Sequence, residues 1–76
     1  MNRDRRRQLA DIAGQLMDLR ERIEVLREEE QEAYDNLPES LQEGERGQAI
    51  EQAVDALDTA LAAVDEVTDA LEEAQA

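Results

Sequence analysis

Apolar residues in the first third of the chain recur at Leu9, Ile12, Leu16, Leu19, Ile23 and Leu26, with steps that alternate between three and four. That rhythm is a heptad seam with Leu9 at position a and Ile12 at position d of an amphipathic helix. The same register continues through Glu30, Ala33 and Leu37. Aspartate, arginine, glutamine and glutamate fill the positions between, as on a solvated helix face. Gly14 falls at f, pointing outward, where it costs about 1 kcal/mol of helix stability against alanine.

The second half carries two rows at helical spacing. The larger residues are Ile50, Val54, Leu57, Leu61, Val64, Thr68 and Leu71. Beside them runs a row that is nearly pure alanine: Ala49, Ala53, Ala56, Ala60, Ala63, Val67, Ala70 and Ala74. With Val54 at a and Leu57 at d, the small residues occupy c and g, and the apolar face spans roughly 160° of the helix. One partner helix needs only the a/d stripe. A face this wide predicts two neighbours, and Ala53, Ala56, Ala60, Ala63 and Val67 are the candidate oligomer interface.

Between the two segments lies EEEQEAYDNLPESLQEGERG, residues 28–47, with the only proline and the only aromatic of the chain. Pro38 disfavours helical geometry at Leu37. Asn36 is a candidate cap for a short turn, and Ser40 with Glu43 has capping-box spacing. The predicted elements are a helix over about 3–36, a connection over about 37–44 with a short helical turn near 38–42, and a second helix over about 45–75. If the chain folds back so that facing positions total 80, every a meets a d: Leu9 with Leu71, Leu16 with Val64, Leu19 with Leu61, Ile23 with Leu57. The same register sets Arg3, Arg5, Arg6 and Arg7 alongside Glu72 and Glu73. The expectation is a single all-α domain over 1–76, an antiparallel two-helix hairpin (coiled coil) that dimerises into a four-helix bundle.

Charge narrows the functions open to such a hairpin. The net charge is −13, and all eight basic residues are arginines. Seven of these precede Glu28, whereas residues 47–76 hold eight acids and no base. A chain so charged repels nucleic acid and anionic membranes, so neither is an expected direct partner. No apolar run approaches the roughly 20 residues of a membrane span. The basic opening stretch has no apolar core of a secretory signal, and a cytoplasmic setting is expected.

Candidate chemistry is sparse. The hydroxyls of Ser40, Thr59, Thr68 and Tyr34 have no histidine or lysine to activate them, and the chain has no cysteine. Thr68 lies on the seam, where its hydroxyl is expected to bond a backbone carbonyl one turn back. GERG at 44–47 lacks the lysine and glycine pattern of a phosphate loop. The aspartates at 55, 58, 65 and 69 do not fit a calcium loop. Glu28, Glu29, Glu30 and Glu32 form the densest acidic run, read as a solvated face rather than a metal site. No catalytic residue, cofactor or metal is therefore expected. Tyr34, Leu37 and Leu41 have two readings: packing that fixes the hairpin end, or an exposed anchor for a partner.

The stretch from Glu28 to Gly47, followed by an Ala/Asp/Glu-rich helix, resembles short acidic helical-hairpin proteins of bacteriophages and prophages, which are generally uncharacterised. In such proteins a serine often precedes ERG, where this chain has Gly44. The resemblance implies a phage or mobile-element origin and a bacterial host cell, with no settled activity or set of functional residues. The function expected from these readings is that of a non-enzymatic interaction protein, a homodimer that binds and inhibits a host protein of unknown identity. The alternatives are a DNA mimic in the basic groove of a nucleic-acid-binding or defence protein, and a phage structural or assembly factor.

Overall fold

A computed structural model describes all residues, Met1–Ala76. The chain forms three helices, α1 (Arg3–Asp35), α2 (Glu39–Gln42) and α3 (Glu45–Gln75), and α1 packs along α3. The result is a helical hairpin with extents of 58 × 15 × 12 Å.

The helix ends have local causes. Asn2 caps α1: its Oδ1 accepts from the Arg5 N–H at 2.8 Å. Asn36, expected to cap the turn that follows, instead closes α1, its N–H donating to the Glu32 carbonyl at 2.9 Å. Pro38 takes the N-cap position of α2, and its carbonyl accepts from the Leu41 and Gln42 N–H groups at 2.8 and 3.1 Å. Ser40 therefore sits inside the turn and makes no capping bond. Proline has no N–H to satisfy and its φ is already set, so it starts the turn without side-chain help.

Two contacts tighten the connection. Gln42 Nε2 donates to the carbonyls of Tyr34 and Leu37, both at 3.2 Å, tying α2 to the end of α1. Gly47 is buried, and a Cβ built there would collide with the Gln42 carbonyl oxygen. Only glycine lets the first turn of α3 come this close to the backbone of α2.

On α3 the row of buried or half-buried positions Gly47, Ile50, Val54, Leu57, Leu61, Val64, Thr68, Leu71 and Gln75 is an unbroken alternation of threes and fours, with Ala53 and Ala60 half-buried along one edge of it. Val54 and Leu61 are the most covered apolar residues, and Thr68 Oγ1 donates to the Val64 carbonyl at 3.0 Å. On α1 the contact face is turned from the expected seam. Leu9, Leu16 and Ile23 are half-buried, but so are Ala13, Arg20, Arg27 and Tyr34. Ile12, Leu19 and Leu26, the expected d row, are 45%, 48% and 57% exposed.

The rotation brings two ionic forks across the interface. Arg20 Nε and Nη2 donate to the two carboxylate oxygens of Asp65 at 2.7 and 3.2 Å. Arg27 makes the same fork to Asp58 at 2.9 and 3.4 Å. Both arginines lay their aliphatic stems across the interface. Each pair totals 85, five more than the expected facing register. That offset suits antiparallel helices, because side chains lean toward the N-terminus of their own helix and so reach toward each other along the rod. The helix ends at Asp35 and Glu45 still centre the connection on residue 40. The expected pairing of Arg3, Arg5, Arg6 and Arg7 with Glu72 and Glu73 does not form; no ion pair within 4 Å joins them. Four arginines within five positions point all round the helix, so few of them can face α3.

Candidate interaction surfaces

The hairpin has two broad faces that differ in chemistry. One is the ion-pair face. It carries the Arg20–Asp65 and Arg27–Asp58 forks, each arginine also bonding a neighbour on its own helix: Glu24 at 3.1 Å and Glu28 at 3.2 Å. These links raise both guanidinium pKa values, first through the hydrogen bonds to Asp65 and Asp58. Tyr34 extends this face toward the connection. Its phenol is directed at Glu51, and hydrogen bonding toward that carboxylate, then desolvation, raises the phenol pKa.

The opposite face is apolar. On α1, Ile12, Leu19 and Leu26 lie on the other side of the Leu9–Leu16–Ile23 row from Arg20 and Arg27, about 60–100° round the helix at 100° per residue. On α3, Ala53, Ala60 and Val67 lie on the other side of the Val54–Leu61–Thr68 row from Asp58 and Asp65, by a similar angle. In an antiparallel pair the rows flanking the seam on one side of both helices form one face. The leucine row and the alanine row are therefore neighbours on a single surface.

The expected interface residues divide across this surface. Ala53 and Ala60 are half-buried at the edge of the in-chain seam, while Ala56, Ala63 and Val67 are exposed. Ile12, Leu19 and Leu26 join them, which the sequence reading missed because it spent those residues on the in-chain core. Tyr34, Leu37 and Leu41 do not form one exposed patch. Tyr34 and Leu37 are half-buried at the hairpin end, and Leu41 alone of the three faces solvent.

Acidic residues are spread along the rod rather than gathered. Glu21, Glu24, Glu28, Glu29 and Glu32 line an open groove around the exposed Val25 on the outer side of α1. No three carboxylates converge as a metal-binding group. No helix is long and apolar enough to cross a membrane. Comparison with protein families, with curated proteins and with solved structures finds no significant match to this chain.

Proposed function

We propose that the chain is a non-enzymatic acidic interaction protein that acts as a homodimer, a four-helix bundle of two hairpins, and binds a protein partner. A phage or prophage origin, a bacterial cytoplasm as the place of action and a host protein as the partner belong to the same reading. The carrying observation is how little the hairpin buries. Four of 76 residues are buried, none of them on α1, and no side chain is fully enclosed. A folded monomer of this mass exposes about 4,700 Å² by surface scaling, whereas this chain exposes 5764 Å². The excess, about 1,000 Å², is comparable to the ~800 Å² that each partner covers in a standard interface.

A second reading, mimicry of DNA, is favoured by one feature. The five glutamates around Val25 and the base-poor α3 place carboxylates along most of the rod's outer surface. Such a rod would occupy a basic groove. Pull-down from host lysate at low and high salt tests both readings. A protein partner held through apolar contacts stays bound as salt rises. A mimic recovers nucleic-acid-binding proteins and releases them as the charges are screened. Recovery of phage structural proteins would instead indicate an assembly role.

A further inference from the structure

The apolar face says how the second copy sits. The geometry points to a head-to-tail dimer in which α1 stacks antiparallel on the partner's α1 through Ile12, Leu19 and Leu26, and α3 stacks on the partner's α3 through Ala53, Ala60 and Val67. This arrangement rests on the dimer proposed above and adds to it a register and a direction.

Three observations select it. The first is position. Ile12, Leu19 and Leu26 are spaced by seven on α1, and Ala53, Ala60 and Val67 by seven on α3. The helix ends set residues whose numbers total about 80 at one level along the rod. Leu19 and Ala60, the middle members of the two rows, therefore sit side by side. A two-fold axis crossing the rod at that level maps each row onto itself. Leu19 then meets the partner's Leu19, and Ile12 meets the partner's Leu26.

The second is charge. The connection end, residues 28–46, holds eight acids against one arginine, whereas the open end, residues 1–10 with 70–76, holds four arginines against three acids. Arg3, Arg5, Arg6 and Arg7 form no ion pair within the chain. The two-fold axis through Leu19 brings Arg6 level with the partner's Glu32 and Arg3 level with the partner's Asp35. The other face-to-face stack has its two-fold along the rod and sets α1 on the partner's α3. It places both acidic ends side by side and leaves the arginine end beside its own copy.

The third is area. The broad face of a rod 58 Å long and 15 Å wide is on the order of the ~800 Å² per partner that a stable interface covers. The ion-pair face, with its arginines already committed to Asp58 and Asp65, offers no apolar equivalent.

The chain has no cysteine, so single thiols test the register cleanly. Leu19→Cys is expected to form an intermolecular disulfide on mild oxidation of the dimer. Ile12→Cys alone is expected to stay reduced, and an equal mixture of Ile12→Cys and Leu26→Cys to give a mixed crosslinked dimer. The second design keeps the test valid if a thiol at the central Leu19 loosens the bundle. Sedimentation of the unmodified protein is measured alongside. A monomer mass would overturn the dimer and this arrangement together. A dimer mass with crosslinking of Leu19→Cys to Ala60→Cys, and none between two copies of Leu19→Cys, would place α1 on the partner's α3 and overturn the head-to-tail stack alone. A dimer in which none of these pairs crosslinks overturns the stack as well.

Discussion

Two glycines show how differently one residue type acts in this chain. Gly14 has no atom within 4 Å of where a Cβ would stand. Gly14→Ala is therefore governed by helix propensity and should stabilise by about 1 kcal/mol. At Gly47 a Cβ would run into the backbone of Gln42, meeting its carbonyl oxygen, carbonyl carbon and Cα. Backbone cannot swing aside as a side chain can, so Gly47→Ala should destabilise by about 3 kcal/mol, the upper end of overpacking costs. Thermal melts followed by circular dichroism at one protein concentration compare both variants with the parent. A Gly47→Ala protein that melts like the parent would mean that α2 is not held against α3. The outward place of Gly14 was legible from the heptad alone, as was the hydroxyl bond of Thr68. The role of Gly47 was not read, although the signal exists: 47, 54, 61 and 68 form one row at intervals of seven. Glycine counts as a breaker in a pattern of apolar residues, and here it is the first member of the core row.

At the scale of the helices, the existence and ends of α1 and α3 were legible because periodicity, Pro38 and the glycines all agree. The rotation of α1 was not. A hydrophobic pattern scores Arg20 and Arg27 as polar, yet their stems lie in the interface and their forks reach Asp65 and Asp58. Swapping the charges of one pair, as Arg27→Asp with Asp58→Arg, should recover part of the melting temperature that either single change loses. Equal losses in the two single variants and their sum in the double would show no coupling. The hairpin end offers a cleaner titration. With no lysine, histidine or cysteine, Tyr34 is the one side chain that titrates between the carboxylates and the arginines. Its phenol pKa is raised above 10.0 in the folded chain, first by hydrogen bonding to Glu51. The folded state then holds that proton more tightly than the unfolded state. The associated stability is complete below pH 10 and is lost as pH rises through the folded value. The parent should thus lose melting temperature above about pH 10, and Tyr34→Phe should lose less across the same range. Parallel pH curves for the two proteins would detach Tyr34 from Glu51.

For the whole molecule the question is what completes a hairpin that encloses no side chain. If the second copy completes it, folding and association are one equilibrium, and the melting temperature must rise with protein concentration. A melting temperature unchanged over a hundredfold dilution would show that the lone hairpin is the stable unit. Net charge modulates this equilibrium. Two chains of −13 each repel over a Debye length of about 10 Å at 0.1 M salt, so moderate salt should raise the melting temperature. In the proposed stack the attraction of Arg3–Arg7 for the partner's acidic end would be screened as well, but it would involve few charges and mainly choose orientation. A melting temperature that falls steadily with salt would reverse that ranking. Ala60 gives the sharpest test, because it is half-buried at the edge of the in-chain seam and central on the apolar face proposed for the dimer. Ala60→Glu would set a carboxylate where two copies of α3 approach, close to the two-fold axis, so that each dimer carries two like charges face to face. Within one hairpin the same side chain can swing to solvent. The variant should therefore sediment as a monomer, with weak residual helicity, while Gly14→Ala keeps the native mass. An Ala60→Glu protein that retains the dimer mass would move the interface away from the alanine row, toward the exposed Leu41 and the connection.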